Sequence, residues 1–600
     1  MRLTSLAALG IAAATSIACL GDLPGNEGRG SGSWPDGPSD GPPVGVPSPA
    51  GPSFGATVRQ AEPPPPMSGG TLAVVPNRTL VVAADPDRDA VYVVDVAKRT
   101  VETVQLALHD EPGRVVIDGA MRAHVVLRSA GAIATIDLAT ATLVEKRAVC
   151  TIPRGIAWDE ATDDLHVACA GGELVTLAAA GGAPKRVVQV TRDLRDVVVT
   201  PRGLVVSTFR DADIIRLASD GSVQAQSDAY RASLNPHVAW RMIADPQASG
   251  SADPAADVIM AAQRTPRSDD DPPPMPASYY GGQMGCGAEG PLTLVAMQPY
   301  VYVPRAVLPV DLAMNGTTVA LVAAGNAYMP SAEQIVFLER NGGSPCDSGR
   351  TIALSGAELT SIAYVPAMSS FFALSREPAQ LHPIDAVSLR VGEHITLSAV
   401  SRKDTGFAVF HANSGAGVAC ASCHPEGRDD GHAWRSRALG ARRTPSLAGT
   451  LAGTAPYHWN GEAPDLRAIM TLTFESRMQG PRLTSEQDDA IAGWLTALPA
   501  LARAQITAPL AVARGKAIFE GSSARCASCH AGAMRTNNAS IDLGRGEAVQ
   551  VPSLVGVVHR APYFHDGSAP NLRAVLQVPH GGAHVGSDEI EDLVAFLESL

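Results

Sequence analysis

Apolar positions along the chain fall into three regimes. Leu3 to Ala18 form one apolar stretch behind Arg2, too short to span a bilayer as a mature helix, and they read as a removable targeting segment. Between about 71 and 397, short Val/Ile/Leu-rich runs alternate with Asp/Gly/Pro turns and show almost no helical periodicity, which predicts strands. From Gly406 onward helical spacing returns. "LAVARGKAIFEG" and the run from Ser587, "SDEIEDLVAFLESL", predict amphipathic helices, and Thr484 or Ser485 caps "EQDDAIAGWLTALP", whose acidic first turn suits the helix dipole.

The strand region repeats. Val94-Asp95-Val96, Ile136-Asp137-Leu138 and Ile384-Asp385-Ala386 each close a run and lead into a similar turn, and the recurrence of about 40 residues is that of a four-stranded propeller blade. With the Pro/Gly-rich stretch near 245 to 290 taken as an insertion, 71–397 holds roughly seven blades. A pair of β-sandwiches is the alternative, and the regular spacing favours the propeller. The period resembles that of the Tyr-Val-Thr-Asn type of seven-bladed propeller, although the signature tetrapeptide is absent.

Ser16-Ile17-Ala18-Cys19 resembles a bacterial lipobox, with Ser16 in place of the usual leucine, so Cys19 is expected to carry lipid after cleavage. The Gly/Pro/Ser-rich tract that follows, to about Gly70, cannot build a core and predicts a tether. The expected location is the cell envelope, as a periplasmic or outer-membrane lipoprotein held by its lipid. At 45% apolar and 18% charged residues, the 600-residue chain can bury several cores. A net charge of -13 and the absence of any Lys/Arg run argue against a nucleic-acid surface. Export permits disulfides, and the simplest pairings are Cys150 with Cys169 and Cys286 with Cys346.

Two pentapeptides carry the chemistry, Cys420-Ala-Ser-Cys423-His424 and Cys526-Ala-Ser-Cys529-His530. The C-x-x-C-H spacing lets two thiols add to the two vinyl groups of one haem while the adjacent imidazole ligates its iron. A disulfide redox pair needs no following histidine, and half a zinc site needs two further ligands at matching spacing. The motifs also sit inside a duplication. Thr444-Pro445-Ser446-Leu447 matches Val551-Pro552-Ser553-Leu554, and "APYHWNGEAPDLRAIM" matches "APYFHDGSAPNLRAVL" at an offset of 106 residues. The expected cofactors are two covalent haem c groups, attached at Cys420, Cys423, Cys526 and Cys529, with His424 and His530 as proximal iron ligands. The predicted organisation is a signal peptide (1–19), a linker (20–70), a seven-bladed β-propeller (71–397) and two all-α cytochrome c-like domains (401–505 and 506–600).

Residues 401 to 600, with tandem C-x-x-C-H units, "RTPSL", "PYHWNG" and "PYFHDGS", resemble the bacterial dihaem cytochrome c peroxidase superfamily, which includes the methylamine-utilisation dihaem enzyme and members fused to an N-terminal propeller. The resemblance implies that Trp459 relays electrons between the haems. It also implies distal ligands: His580 or His584 for the second haem, and Met478 or His432 for the first, with Met478 favoured. A thioether ligand would raise that haem's potential. Arg477 precedes Met478 where peroxidases carry an acidic residue nearby, Glu475 being the nearest here. Val551 replaces the threonine beside the family's calcium ion, which weakens the case for calcium. The leading expectation is electron transfer to or from an unidentified redox partner. The alternatives are a peroxidase acting on hydrogen peroxide or a related haem oxidase, and a propeller binding module whose haems sense redox state.

Overall fold

The structure, a computed structural model, describes residues 51–600 apart from 228–235, 249, 265–291, 298–300, 304–305, 341–348, 437–439, 502–507, 543–546 and 579–584. Strands from Leu72–Val74 to Ile395–Thr396 build seven four-stranded antiparallel sheets, each a meander of consecutive strands. The innermost strands, Leu72–Val74, Pro112–Ile117, Pro153–Asp159, Leu194–Thr200, Pro236–Ala244, Pro309–Asn315 and Leu359–Val365, touch their neighbours in turn. The last packs back on the first, so the sheets close a β-propeller.

Strand periodicity explains the packing. In Leu80–Asp85, Val81 and Ala83 face the last sheet across Phe372 and Leu381, while Val82 and Ala84 face the second sheet across Val125 and Ala134. Both faces are buried, so the strands read as continuous apolar runs rather than alternating ones. The repeated aspartates make the turns. Asp95 accepts from the backbone N–H of Ala97 and Lys98 (both 3.1 Å), Asp137 from Ala139 and Thr140 (both 2.9 Å), and Asp385 from Ser388 (2.7 Å). Cys150 and Cys169 form a disulfide. Cys286 and Cys346 lie outside the described residues.

The last third is helical: α1 (Thr405–His411), α2 (Cys420–Cys423), α3 (Leu466–Ile469), α4 (Ser485–Thr496), α5 (Pro509–Glu520), α6 (Leu572–Gln577) and α7 (Ile590–Glu598). The cap of α4 is Thr484, in a capping box with Gln487. In each unit the first and last helices cross at a glycine. A Cβ on Gly406 of α1 would lie 2.5 Å from both Ala490 O and Trp494 Cβ of α4, and one on Gly515 of α5 would overlap Asp592 O of α7. Part of the tract expected to be a tether is held down. Val58 and Thr405 exchange hydrogen bonds, Pro64 O accepts from Trp494 Nε1 (3.0 Å), and Met67 N–H donates to His411 Nε2 (3.2 Å). Among the described residues, no helix is long and apolar enough to cross a membrane.

Candidate functional site

Both pentapeptides are wound into single turns that close on the histidine. His424 N–H donates to Cys420 O (2.8 Å) and His530 N–H to Cys526 O (2.9 Å). A carbonyl a few residues on then fixes each imidazole: His424 Nδ1 donates to Arg428 O (3.0 Å) and His530 Nδ1 to Arg535 O (3.1 Å). A carbonyl can only accept, so Nδ1 carries the proton and Nε2 presents the lone pair that an iron ligand needs. The four motif cysteines are thiols, not disulfides. Burial pushes the Cys420 thiol up to about 12 and Cys423 well above its ordinary value, opposite to the low thiol pKa of a redox C-x-x-C. Among the described residues, no three His, Cys, Asp or Glu side chains converge as a metal cage.

The surroundings fit a flat apolar group. Cys420, Leu447, Tyr457, Ile469 and Met478 border one buried cluster containing Phe407, Met470, Phe474 and Trp494. Around Cys526, Leu554, Phe564 and Val575 border the cluster of Phe519, Tyr563, Leu593 and Phe596. Each motif thus has a cysteine at the border of a buried apolar cluster.

The candidate distal residues separate in space. Met478 ends a π-helix, Met470–Arg477, its N–H on Thr473 O (2.8 Å), and borders the same cluster as Cys420. His432 instead packs against His237 of the propeller (5.3 Å between ring centroids) and Trp434 (4.8 Å). Burial, with His237 beside it, lowers the His432 imidazole to about 4. Glu475 accepts from Leu483 N–H (3.4 Å), and Arg477 pairs with Glu462 (2.5 Å). His580 and His584 lie outside the described residues.

Trp459 sits where the two units meet. Its Nε1–H donates to Arg443 O (2.6 Å), and its ring meets the ring of His565, its counterpart in the second unit, at 6.4 Å. The units also exchange arms. Arg443 N–H donates to His565 O (2.6 Å), and Gln550 N–H donates to Trp459 O (2.7 Å). These belong to two hairpins, Ala433–Ser436 with Gly440–Arg443 and Ser540–Asp542 with Ala548–Gln550, each reaching across to the other unit.

Sequence reasoning missed the junction with the propeller. Glu426, two residues beyond His424 and only 5% exposed, meets Arg195 (2.5 Å), Arg128 (3.1 Å) and Arg154 (3.9 Å). Burial alone would raise its carboxyl, but Arg128, Arg195 and Arg154 hold it well below the usual range. Asp429 meets Arg210 (3.1 Å) and Arg443 (3.4 Å). Asp430 accepts from His237 Nε2 (3.2 Å) and Trp434 Nε1 (3.0 Å). One signal was present: Arg114, Arg154 and Arg195 recur about every 40 residues, at the start of successive blades.

No protein-family model matches the chain. It is similar to the methylamine utilization protein MauG of Methylorubrum extorquens, at 30% identity across 30% of this chain and 72% of that protein. It is also similar to MauG of Methylophilus methylotrophus, at 26% identity across 36% of this chain and 86% of that one. Among solved structures it is similar to hydrazine synthase of Kuenenia stuttgartiensis (13% identity, 58% of this chain, 99% of that chain, TM-score 0.39) and to virginiamycin B lyase of Staphylococcus aureus (9%, 57%, 88%, 0.29). At TM-scores this low, neither structural likeness bears on function.

Proposed function

The chain belongs to the MauG family of dihaem cytochrome c peroxidase-like redox proteins, and from that premise we propose that it is an exported two-haem c-type cytochrome whose work is electron transfer. The observation that carries this is the duplicate geometry of His424 and His530, each with Nδ1 tied to a carbonyl and Nε2 presented beside a thiol pair. Haem c, when bound, supplies a one-electron iron couple at each motif. Cys420, Cys423, Cys526 and Cys529 hold the groups covalently, and His424 and His530 orient them. Met478, which closes the π-helix Met470–Arg477 of the first unit, is the proposed sixth ligand there. His580 is proposed in the second, with His584 as its alternative. Trp459, placed between the units, is the proposed relay. The propeller is read as seven-bladed, supported by its seven sheets and the packing of the last on the first. It would offer the docking surface for a redox partner. Export and lipid anchoring rest on residues 1–19, and the Cys150–Cys169 disulfide suits an oxidising compartment.

One observation favours peroxide chemistry as a second reading. His458 Nδ1 pairs with Glu462 (2.8 Å), and Thr473 of the π-helix lies 3.3 Å from His458 Nε2, so a proton-holding pair stands beside the helix that ends at Met478. Electron paramagnetic resonance separates the readings. Electron transfer predicts two haems per chain, both low-spin when oxidised. A stable high-spin signal with rapid peroxide turnover would establish the second reading.

A further inference from the structure

The environment of Trp434 differs from that of every other described tryptophan. Its Nε1–H donates to Asp430 Oδ2 (3.0 Å), and Asp430 is 1% exposed. The same carboxylate oxygen accepts from His237 Nε2 of the propeller (3.2 Å), and Oδ1 accepts from the backbone N–H of His432 (2.9 Å). The Asp430 charge is therefore fixed, desolvated and aimed at one indole. Asp430 follows His424, the last residue of the first motif, by six positions.

The comparison with Trp459 is informative. Trp459 donates to a neutral carbonyl, and the guanidinium of Arg443 lies 5.9 Å from its ring. Removing an electron from an indole creates positive charge, which a nearby buried carboxylate stabilises and a nearby guanidinium opposes. Trp494 donates to Pro64 O and Trp240 to Gln263 Oε1, both neutral, and Arg195 lies 6.0 Å from the Trp240 ring. Trp158 does donate to a carboxylate, Asp163, but that pair is exposed and water screens it.

We propose that Trp434, poised by Asp430 and His237, is a second redox-active side chain of this protein and its most readily oxidised indole. The indole gives one electron to a one-electron oxidant, which is reduced by one. The Nε1 proton stays within the hydrogen bond to Asp430, so no other group has to accept it, and return of one electron restores the resting pair. His237 is a positioning residue, through which the propeller holds the carboxylate in place. The idea rests on the two-haem reading only for what the electron hole is passed to, because oxidation of the indole can be driven from outside.

The test is flash–quench photo-oxidation of the full holoprotein by tris(bipyridyl)ruthenium(III), with Trp34 and Trp158 replaced by Phe and the indole radical read by electron paramagnetic resonance. The expected result is a radical that Trp434→Phe abolishes, that Asp430→Asn lowers by about tenfold or more, and that Trp459→Phe leaves intact. His237→Gln, which perturbs the same carboxylate without touching the haem motifs, should lower the yield as well. A radical that persists in Trp434→Phe, or that disappears in Trp459→Phe instead, would overturn the proposal. So would yields unchanged in both Asp430→Asn and His237→Gln. None of these readouts depends on turnover or on haem ligation, so the two-haem reading can fail while this one stands.

Discussion

Replacing Glu426 by alanine should loosen the junction between the haem-motif loop and the propeller more than any exposed substitution. The carboxylate lies 2.5 to 3.9 Å from three guanidinium groups. At an effective dielectric of about 20, each contact has roughly 4–7 kcal/mol of gross attraction. Most of that is offset by the cost of desolvating the charges, so the gross figure is not the effect to expect. What alanine leaves behind decides the outcome: Arg195, 3% exposed, would lose its ion pair, while Arg154 keeps Asp193 (2.6 Å) and Arg128 keeps Glu111 (3.2 Å). Breaking a buried ion cluster in this way costs about 3–5 kcal/mol. If the loop opens and recloses faster than protease cuts, native-state proteolysis should speed up by roughly 100- to 4000-fold. Glu426→Gln keeps the shape and should fall between wild type and alanine. Removing Glu393, whose pairing with Arg99 is exposed, should leave the cleavage rate unchanged. An increase of less than about fivefold for Glu426→Ala, equivalent to about 1 kcal/mol, would refute the view that this carboxylate docks the loop.

Met478→Ala should alter the absorption and spin state of one haem while His432→Ala leaves both spectra unchanged, and the reverse result would move the sixth ligand to His432. Acid should weaken the propeller partly through Asp193, which burial alone would raise but which Arg154 (2.6 Å) and Arg210 (2.9 Å) bring down to about 2. Its stabilisation, about 2–3 kcal/mol, is fully present above about pH 5 and is lost as pH falls toward about 2. Urea titrations at several acidic pH values should therefore show a shallower decline for Asp193→Asn, and parallel declines would contradict the assignment. Gly406→Ala should lower the thermal midpoint, because the new methyl meets Ala490 O and Trp494 Cβ, at a cost of about 1–3 kcal/mol. A neutral or stabilised variant would mean that helix propensity outweighs a crossing looser than the structure has it.

Much of the architecture was legible because it is written in local spacing. The recurring aspartates announce their turns, since an Asp side chain can cap its own backbone without help from elsewhere in the fold. Thr484 and Gln487 define a helix start within four residues. Each C-x-x-C-H pentapeptide closes one turn, His424 N–H on Cys420 O and His530 N–H on Cys526 O. What escaped depends on chain segments far apart. Arg195 and Glu426 are 231 positions apart, and no pattern near either names the other. Residues 51–67 have the composition of a tether but lie along α1 and α4, because backbone groups such as Pro64 O can be satisfied by a surface that is already folded. The sixth ligands were the least legible, since a distal residue is chosen by loop geometry and not by spacing from its motif.

The exchanged hairpins give the two haem-motif units an ancestry and a fate. Arg443 reaches His565, and Gln550 reaches Trp459, by equivalent bonds running in opposite directions. That is the signature of an isologous contact, which ordinarily joins two identical molecules across a twofold axis. The tandem third of this chain behaves as a homodimer whose halves have been fused into one polypeptide. Neither half completes its own surface, so either one expressed alone should aggregate or pair with another copy of itself. Fusion also freed the halves to diverge, which two identical protomers cannot do. At one equivalent position of that shared seam the first half now has an indole and the second an imidazole, Trp459 and His565.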